Sequence, residues 1–104
     1  MKQICAKACK ELIEKEKVLA IDIREPYEFE QVNCGFTNVP MADLYEYLKS
    51  VEPNRTIIIM CQSGRRALAT GNLVETELGF ENIIVMEQGI QGWQAEVDPS
   101  LKLD

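Results

Sequence analysis

Three short apolar runs punctuate an otherwise polar chain: Val18-Leu19-Ala20-Ile21-Asp22-Ile23, Thr56-Ile57-Ile58-Ile59-Met60 and Asn82-Ile83-Ile84-Val85-Met86. They are rich in β-branched residues and continuous rather than alternating, the pattern of strands covered on both faces of a parallel sheet. Gln3-Ile4-Cys5 and Thr37-Asn38-Val39-Pro40 add two shorter strand candidates. Helical spacing fills the gaps. Cys9, Leu12 and Ile13 share one face of Ala6 to Lys17, and Leu44, Tyr47, Leu48 and Val51 repeat the pattern after Asp43, a candidate N-cap. Ala67, Gly71, Val74 and Leu78 form a third stripe, opening at about Ala67 and closed by Gly79 at the C′ position with Phe80 behind it. Strands alternating with helices at this rhythm predict an α/β fold with a parallel sheet and right-handed crossovers.

Composition narrows the chemistry. A chain of 104 residues is expected to form a single domain, 1–104, with a core of its own. Eleven basic against seventeen acidic residues give a net charge of −6, which argues against wholesale phosphate-backbone binding, so no nucleic acid is expected. Histidine is absent, which removes Ser-His-Asp triads, Cys-His pairs and His metal ligands. No apolar run approaches the ~20 residues that span a bilayer, and the N-terminus lacks the apolar centre of a signal peptide. A cytoplasmic location with four reduced cysteines, and no membrane partner, is the expectation.

The chemistry concentrates where the run Thr56–Met60 meets Cys61-Gln62-Ser63-Gly64-Arg65-Arg66. Ligands of open parallel sheets bind beyond the carboxyl ends of the strands. A cysteine there faces backbone N–H groups and the positive end of a helix, conditions that favour the thiolate without any histidine. Gly64 lets the loop curl so that successive amides point inward as an anion-binding nest, and Arg65 and Arg66 set a local positive field against the acidic whole. The bland alternative is a buried cysteine closing a strand before an ordinary helix; it leaves Gly64 and the paired arginines without a role.

These six residues resemble the active-site loop of single-domain rhodanese-like sulfurtransferases. Asp22-Ile23-Arg24-Glu25-Pro26-Tyr27-Glu28-Phe29 is similar to that family's Asp-Val-Arg-Glu-Pro-x-Glu-Tyr segment, and Glu87-Gln88-Gly89-Ile90-Gln91-Gly92-Trp93 to its Gly-Gly-x-x-x-Trp signature. Between Gln31 and Pro40 the chain departs from the family's Gly-His-Ile pattern: the His is missing and the stretch is one residue short. The resemblance implies a three-layer fold with a five-stranded parallel sheet flanked by helices. It also implies sulfane sulfur carried on a cysteine persulfide, with no metal and no cofactor.

Four residues separate Cys61 from Arg66, one fewer than in the Cys-x5-Arg loops of cysteine phosphatases and related arsenate reductases. A smaller ring of amides suits one terminal sulfur atom better than a tetrahedral oxyanion. The expected cycle begins with Cys61 attacking a small anionic donor such as thiosulfate. The persulfide, held by amides from Gln62 to Arg66, then passes its sulfur to cyanide, a thiol or a protein cysteine. A protein-to-protein persulfide carrier with little free turnover is the alternative.

Around that loop several assignments stay open. Arg65 is expected to meet the donor, whereas Arg66 either does the same or pairs inward with a carboxylate. Asp22 and Arg24 either orient the loop or form a solvated strand-end ion pair. Glu28 is expected to tether local backbone, Trp93 to pack in the core, and Gly89 to let backbone approach the loop. Cys9 reads as core. Cys5 and Cys9, four apart, are too far apart on a helix for a disulfide and too few for a zinc site. Cys34 is either a plain, exposed loop thiol or a relay cysteine.

Overall fold

A computed structural model describes residues 1–103. Five strands, β1 (Lys2–Ile4), β2 (Leu19–Asp22), β3 (Thr37–Asn38), β4 (Ile57–Met60) and β5 (Ile83–Met86), form one sheet in the order β1-β5-β4-β2-β3. Every pairing is parallel, with Asp22 opposite Met60 and Ile59 opposite Val85. The five helices are α1 (Ala6–Lys15), α2 (Pro26–Gln31), α3 (Leu44–Leu48), α4 (Arg65–Leu78) and α5 (Gly89–Glu96). All five predicted strands are present: β1 lies one residue earlier than expected, at Lys2–Ile4, and the other four are trimmed by one or two residues.

The strand pleat sorts one apolar run into two cores. Ile57 and Ile59 of β4, with Ile83 and Val85 of β5, pack against Leu44 and Leu48 of α3 and Ala67 and Val74 of α4. Ile58, Met60, Ile84 and Met86 point the other way, against Ala6 and Cys9 of α1 and Ile90 of α5. Helices on both faces of the sheet make three layers, which explains why the central strands read as unbroken apolar runs.

Helix boundaries differ from the expectation in informative ways. α1 ends at Lys15, two residues early. A 3₁₀ turn, Met41–Asp43, leads into α3; Asp43 precedes the helix, yet its side chain makes no capping hydrogen bond. Tyr45 rather than Tyr47 packs on the core, because this short helix presents Leu44 and Leu48 to the sheet and leaves Tyr47 outside. α4 opens at Arg65, not Ala67, with Gly64 as its N-cap at φ 103°. Both loop arginines therefore belong to its first turn. Gly79 ends α4 in the left-handed region, with Phe80 buried behind it.

Two helices carry no obvious apolar stripe. α2 buries none of its residues and is specified at its start: Pro26 occupies the first turn, and Glu25 and Glu28 form a reciprocal capping box. α5 begins at Gly89, after Gln88 in the left-handed region at φ 60°.

Candidate active site

Met60 ends β4 in the middle of the sheet, so Cys61 emerges at the carboxyl edge between the ends of β2 and β5. Its Sγ accepts the backbone N–H of Gly64 at 3.1 Å and that of Ala67 at 3.4 Å. One donor lies in the expected Gln62–Arg66 stretch; the other lies just past it, because α4 starts early and turns its first amides onto the sulfur. The amides of Gln62, Ser63, Arg65 and Arg66 have no acceptor among the described residues. The last two belong to the first turn of α4, where a helix start leaves N–H groups open, and the first two to the loop before it. Cys61 itself has no exposed surface.

The loop is clamped from behind by α5. The N–H of Ile90 donates to the Cys61 carbonyl at 2.8 Å and that of Gln91 to the Gln62 carbonyl at 3.3 Å. That approach needs a glycine at position 89. There φ is +53°, and a Cβ would overlap the Cys61 carbonyl oxygen and sit 2.7 Å from the Gln62 carbonyl carbon. The expected role of Gly89 is the observed one.

Arg65 and Arg66 divide the work. Arg65 is exposed and makes no ion pair among the described residues. Arg66 turns to Glu28, its Nη1 and Nη2 donating to the two carboxylate oxygens at 2.9 and 3.0 Å. This fork-to-fork pair ties α4 to α2. Glu28 also accepts the Glu25 N–H at 3.0 Å, so it tethers local backbone as anticipated and holds Arg66 as well. The Arg66 hydrogen bonds hold the Glu28 carboxyl below its ordinary range, against a smaller opposing effect of burial. The same pairing raises Arg66 further.

Asp22 and Arg24 are not a solvated pair. Both are buried, at 0% and 1% exposure, where the chain leaves β2 for α2. Arg24 Nε donates to Asp22 at 3.0 Å and Nη2 at 2.8 Å, and Nη2 also reaches the Val32 carbonyl at 2.7 Å. Neither residue hydrogen-bonds to the Cys61 loop; together they fasten the end of β2 to the end of α2. Asn38 completes this corner, donating to the carbonyls of Asp22 and Arg24 at 3.0 Å each. Nothing in the sequence beyond its place in a short strand candidate singles Asn38 out for that role.

The other cysteines are all free thiols. Cys9 is buried as expected, and desolvation pushes its thiol up to about 12. Cys34 is half-buried rather than exposed: it lies against the core of Ile58, Met60 and Phe36, and burial pushes it up to about 11. Trp93 packs edge-on against Phe36, with ring centroids 5.3 Å apart, in keeping with a core role. Among the described residues no cluster of three or more His, Cys, Asp or Glu suits a metal ion, and no helix is long and apolar enough to cross a membrane.

Comparison with known proteins agrees with this architecture. A family model described as Rhodanese-like domain matches residues 6–96. The crystal structure of a rhodanese-related protein from Thermoplasma volcanium is similar over the full length of both chains, at 30% identity and a TM-score of 0.80. Among curated proteins, the thiosulfate sulfurtransferase GlpE of Pseudoalteromonas translucida is 29% identical over 86 residues, covering 82% of this chain and 81% of GlpE. The putative sulfur carrier protein YrkF of Bacillus subtilis is 26% identical over 98 residues, covering 92% of this chain; the chain spans about half of YrkF, 52% of its length. A parallel five-stranded sheet between helical layers, with a cysteine loop at its carboxyl edge, thus meets sequence similarity over most of the chain: the protein belongs to the rhodanese-like domain family, whose general chemistry is sulfur transfer.

Proposed function

We propose that this protein is a sulfurtransferase that carries sulfane sulfur as a persulfide on Cys61. The observation that carries the reading is the pair of amide donors, Gly64 and Ala67, converging on one cysteine sulfur at the start of α4. Thiolate attack on thiosulfate forms a bond from Sγ to the outer sulfur and expels sulfite. Charge is conserved, and no oxidant enters. The added sulfur is negative, and the open amides of Gln62, Ser63, Arg65 and Arg66, free to donate beside Cys61, support this reading. Arg65, the exposed cation of the loop, meets the anionic donor, whereas Arg66 is a positioning residue held by Glu28.

Acceptor attack on the terminal sulfur restores Cys61 in a ping-pong cycle. Enclosure of the thiol favours a small donor over a folded protein's cysteine, which supports enzymatic turnover. The likeness to a putative sulfur carrier supports the second reading, protein-to-protein relay. Intact-mass and peptide mapping after thiosulfate treatment decide the mechanism: the mass of one sulfur atom is expected on Cys61 and is lost in Cys61→Ala. An unmodified Cys61 ends the persulfide reading. Steady-state assay with cyanide separates the two roles, since fast loading with negligible turnover marks a carrier.

A further inference from the structure

A cleft of about 240 Å³ opens beside the loop, walled by Gln62 on one side and by Arg24, Gln31 and Val32 of the α2 corner on another. Leu103 closes it; this residue belongs to the tail beyond Glu96, past the stretch that the family model matches. The volume is below the ~300–1,000 Å³ of clefts for drug-sized ligands, so it admits an amino-acid-sized molecule and not a protein loop. Its floor is unusual. Arg24 is 1% exposed, its Nε and Nη2 are engaged by Asp22 and Val32, and its Nη1 has no acceptor among the described residues. Among the described residues no buried side-chain nitrogen or oxygen is left as an orphan, so Nη1 is the edge that Arg24 presents to the cleft.

We infer that this cleft is the site of the sulfur acceptor, and that the acceptor is a cysteinyl thiol whose carboxylate or peptide carbonyl is read by Arg24 Nη1. The inference rests on the Cys61 persulfide reading for its chemistry and on the cleft for its specificity. The carboxamides of Gln31 and Gln62 each offer a donor and an acceptor, which match an amino group or a peptide unit. The two charged groups that border the cleft, Arg24 and Glu28, are already paired with Asp22 and Arg66, so the site favours a polar head of low net charge. The opposite flank of the loop, where Ser63, Gly64 and the exposed Arg65 lie with Glu87 also on its border, offers Arg65 to the anionic donor. In the transfer, the acceptor thiolate bonds to the terminal sulfur, the bond from that sulfur to Cys61 Sγ breaks, and its electron pair returns to Sγ. The acceptor leaves as a persulfide. The sulfane sulfur moves as a neutral atom, and no net oxidation occurs.

Two measurements test this. With the persulfide formed first and donor removed, single-turnover transfer is followed to cysteine, to a cysteinyl peptide blocked at both ends, to cysteamine and to cyanide. Cysteine or the blocked peptide is expected to react about tenfold faster than cysteamine, which lacks the carbonyl group, as loss of one hydrogen bond to a charged donor implies. Gln31→Ala and Leu103→Ala are each expected to lower the cysteine-to-cyanide rate ratio several-fold. Equal rates for cysteine and cysteamine, or ratios unmoved in both variants, overturn the assignment. Whichever of free cysteine and blocked peptide leads identifies the source. Calorimetry with S-methylcysteine on the resting protein needs no persulfide: binding weakened in Leu103→Ala supports the cleft even if Cys61 never loads, and absence of binding overturns it.

Discussion

Cys61 and Cys34 have the same side chain, and the chemistry around each is opposite. Cys61 receives two backbone donors at the head of a fourteen-residue helix. Cys34 is surrounded by apolar neighbours that favour its neutral form, with a thiol near 11. At pH 8 only about a thousandth of Cys34 is thiolate, so it is a poor nucleophile. Persulfide mapping after thiosulfate is therefore expected to find sulfur on Cys61 and none on Cys34 or Cys9; loading of Cys34 would revive a relay. Glycines also divide by surroundings. Gly89→Ala drives a methyl group into the Cys61–Gln62 backbone, and a loss of about 3 kcal/mol in urea unfolding is expected from overlap plus left-handed strain. Gly35→Ala, at φ +88° with open space around it, should lose only about 1 kcal/mol. Equal losses would show that backbone strain alone decides both positions. The Cys61 loop was legible because its six residues are consecutive. Glu28, thirty-eight residues from Arg66, was readable only as a local tether, since nothing in a linear chain tells which carboxylate will face which guanidinium.

Elements differ in how openly the sequence declares them. β4 and β5 are unmistakable because both faces are buried and every position is apolar. α2 leaves no periodic trace in the sequence because it is six residues long and buries nothing; its signals are Pro26 and the Glu25–Glu28 box. Small as it is, α2 holds α4 through the Glu28–Arg66 fork and covers the buried Asp22–Arg24 pair through Val32. The tie is sensitive to acid. Arg66 keeps the folded-state value of Glu28 below its unfolded value, near 4.5, so the contribution is full above that pH. It fades as pH falls through the lower folded value. Arg66 is 35% exposed and Glu28 18%, so screening limits the effect to about 1 kcal/mol at neutral pH. Glu28→Gln is expected to lower stability at pH 7 by that amount and to converge with the parent as pH falls below 4.5 and on through the lower folded value. A gap that stays constant down to pH 3 would mean that the capping box, not the ion pair, carries the loss.

At the scale of the whole molecule, the proposed thiosulfate chemistry asks an anionic protein to admit an anionic donor. The net charge is −6 and the radius of gyration 12.6 Å. At 0.01 M salt the screening length is ~30 Å, so a dianion such as thiosulfate feels the entire negative molecule. At 0.1 M it is ~10 Å, less than that radius, and the donor near the loop responds chiefly to Arg65 and the first amides of α4. At 1 M, with ~3 Å screening, Arg65 is hidden as well. Persulfide formation measured by stopped flow is thus expected to speed up about two-fold from 0.01 to 0.1 M salt and to slow again toward 1 M. Arg65→Gln should flatten the descending limb and keep the ascending one, because only the local attraction is removed. A parent rate that falls steadily from the lowest salt would mean that the local field dominates at every range, and that the acidic surface lies too far from the loop to oppose the donor.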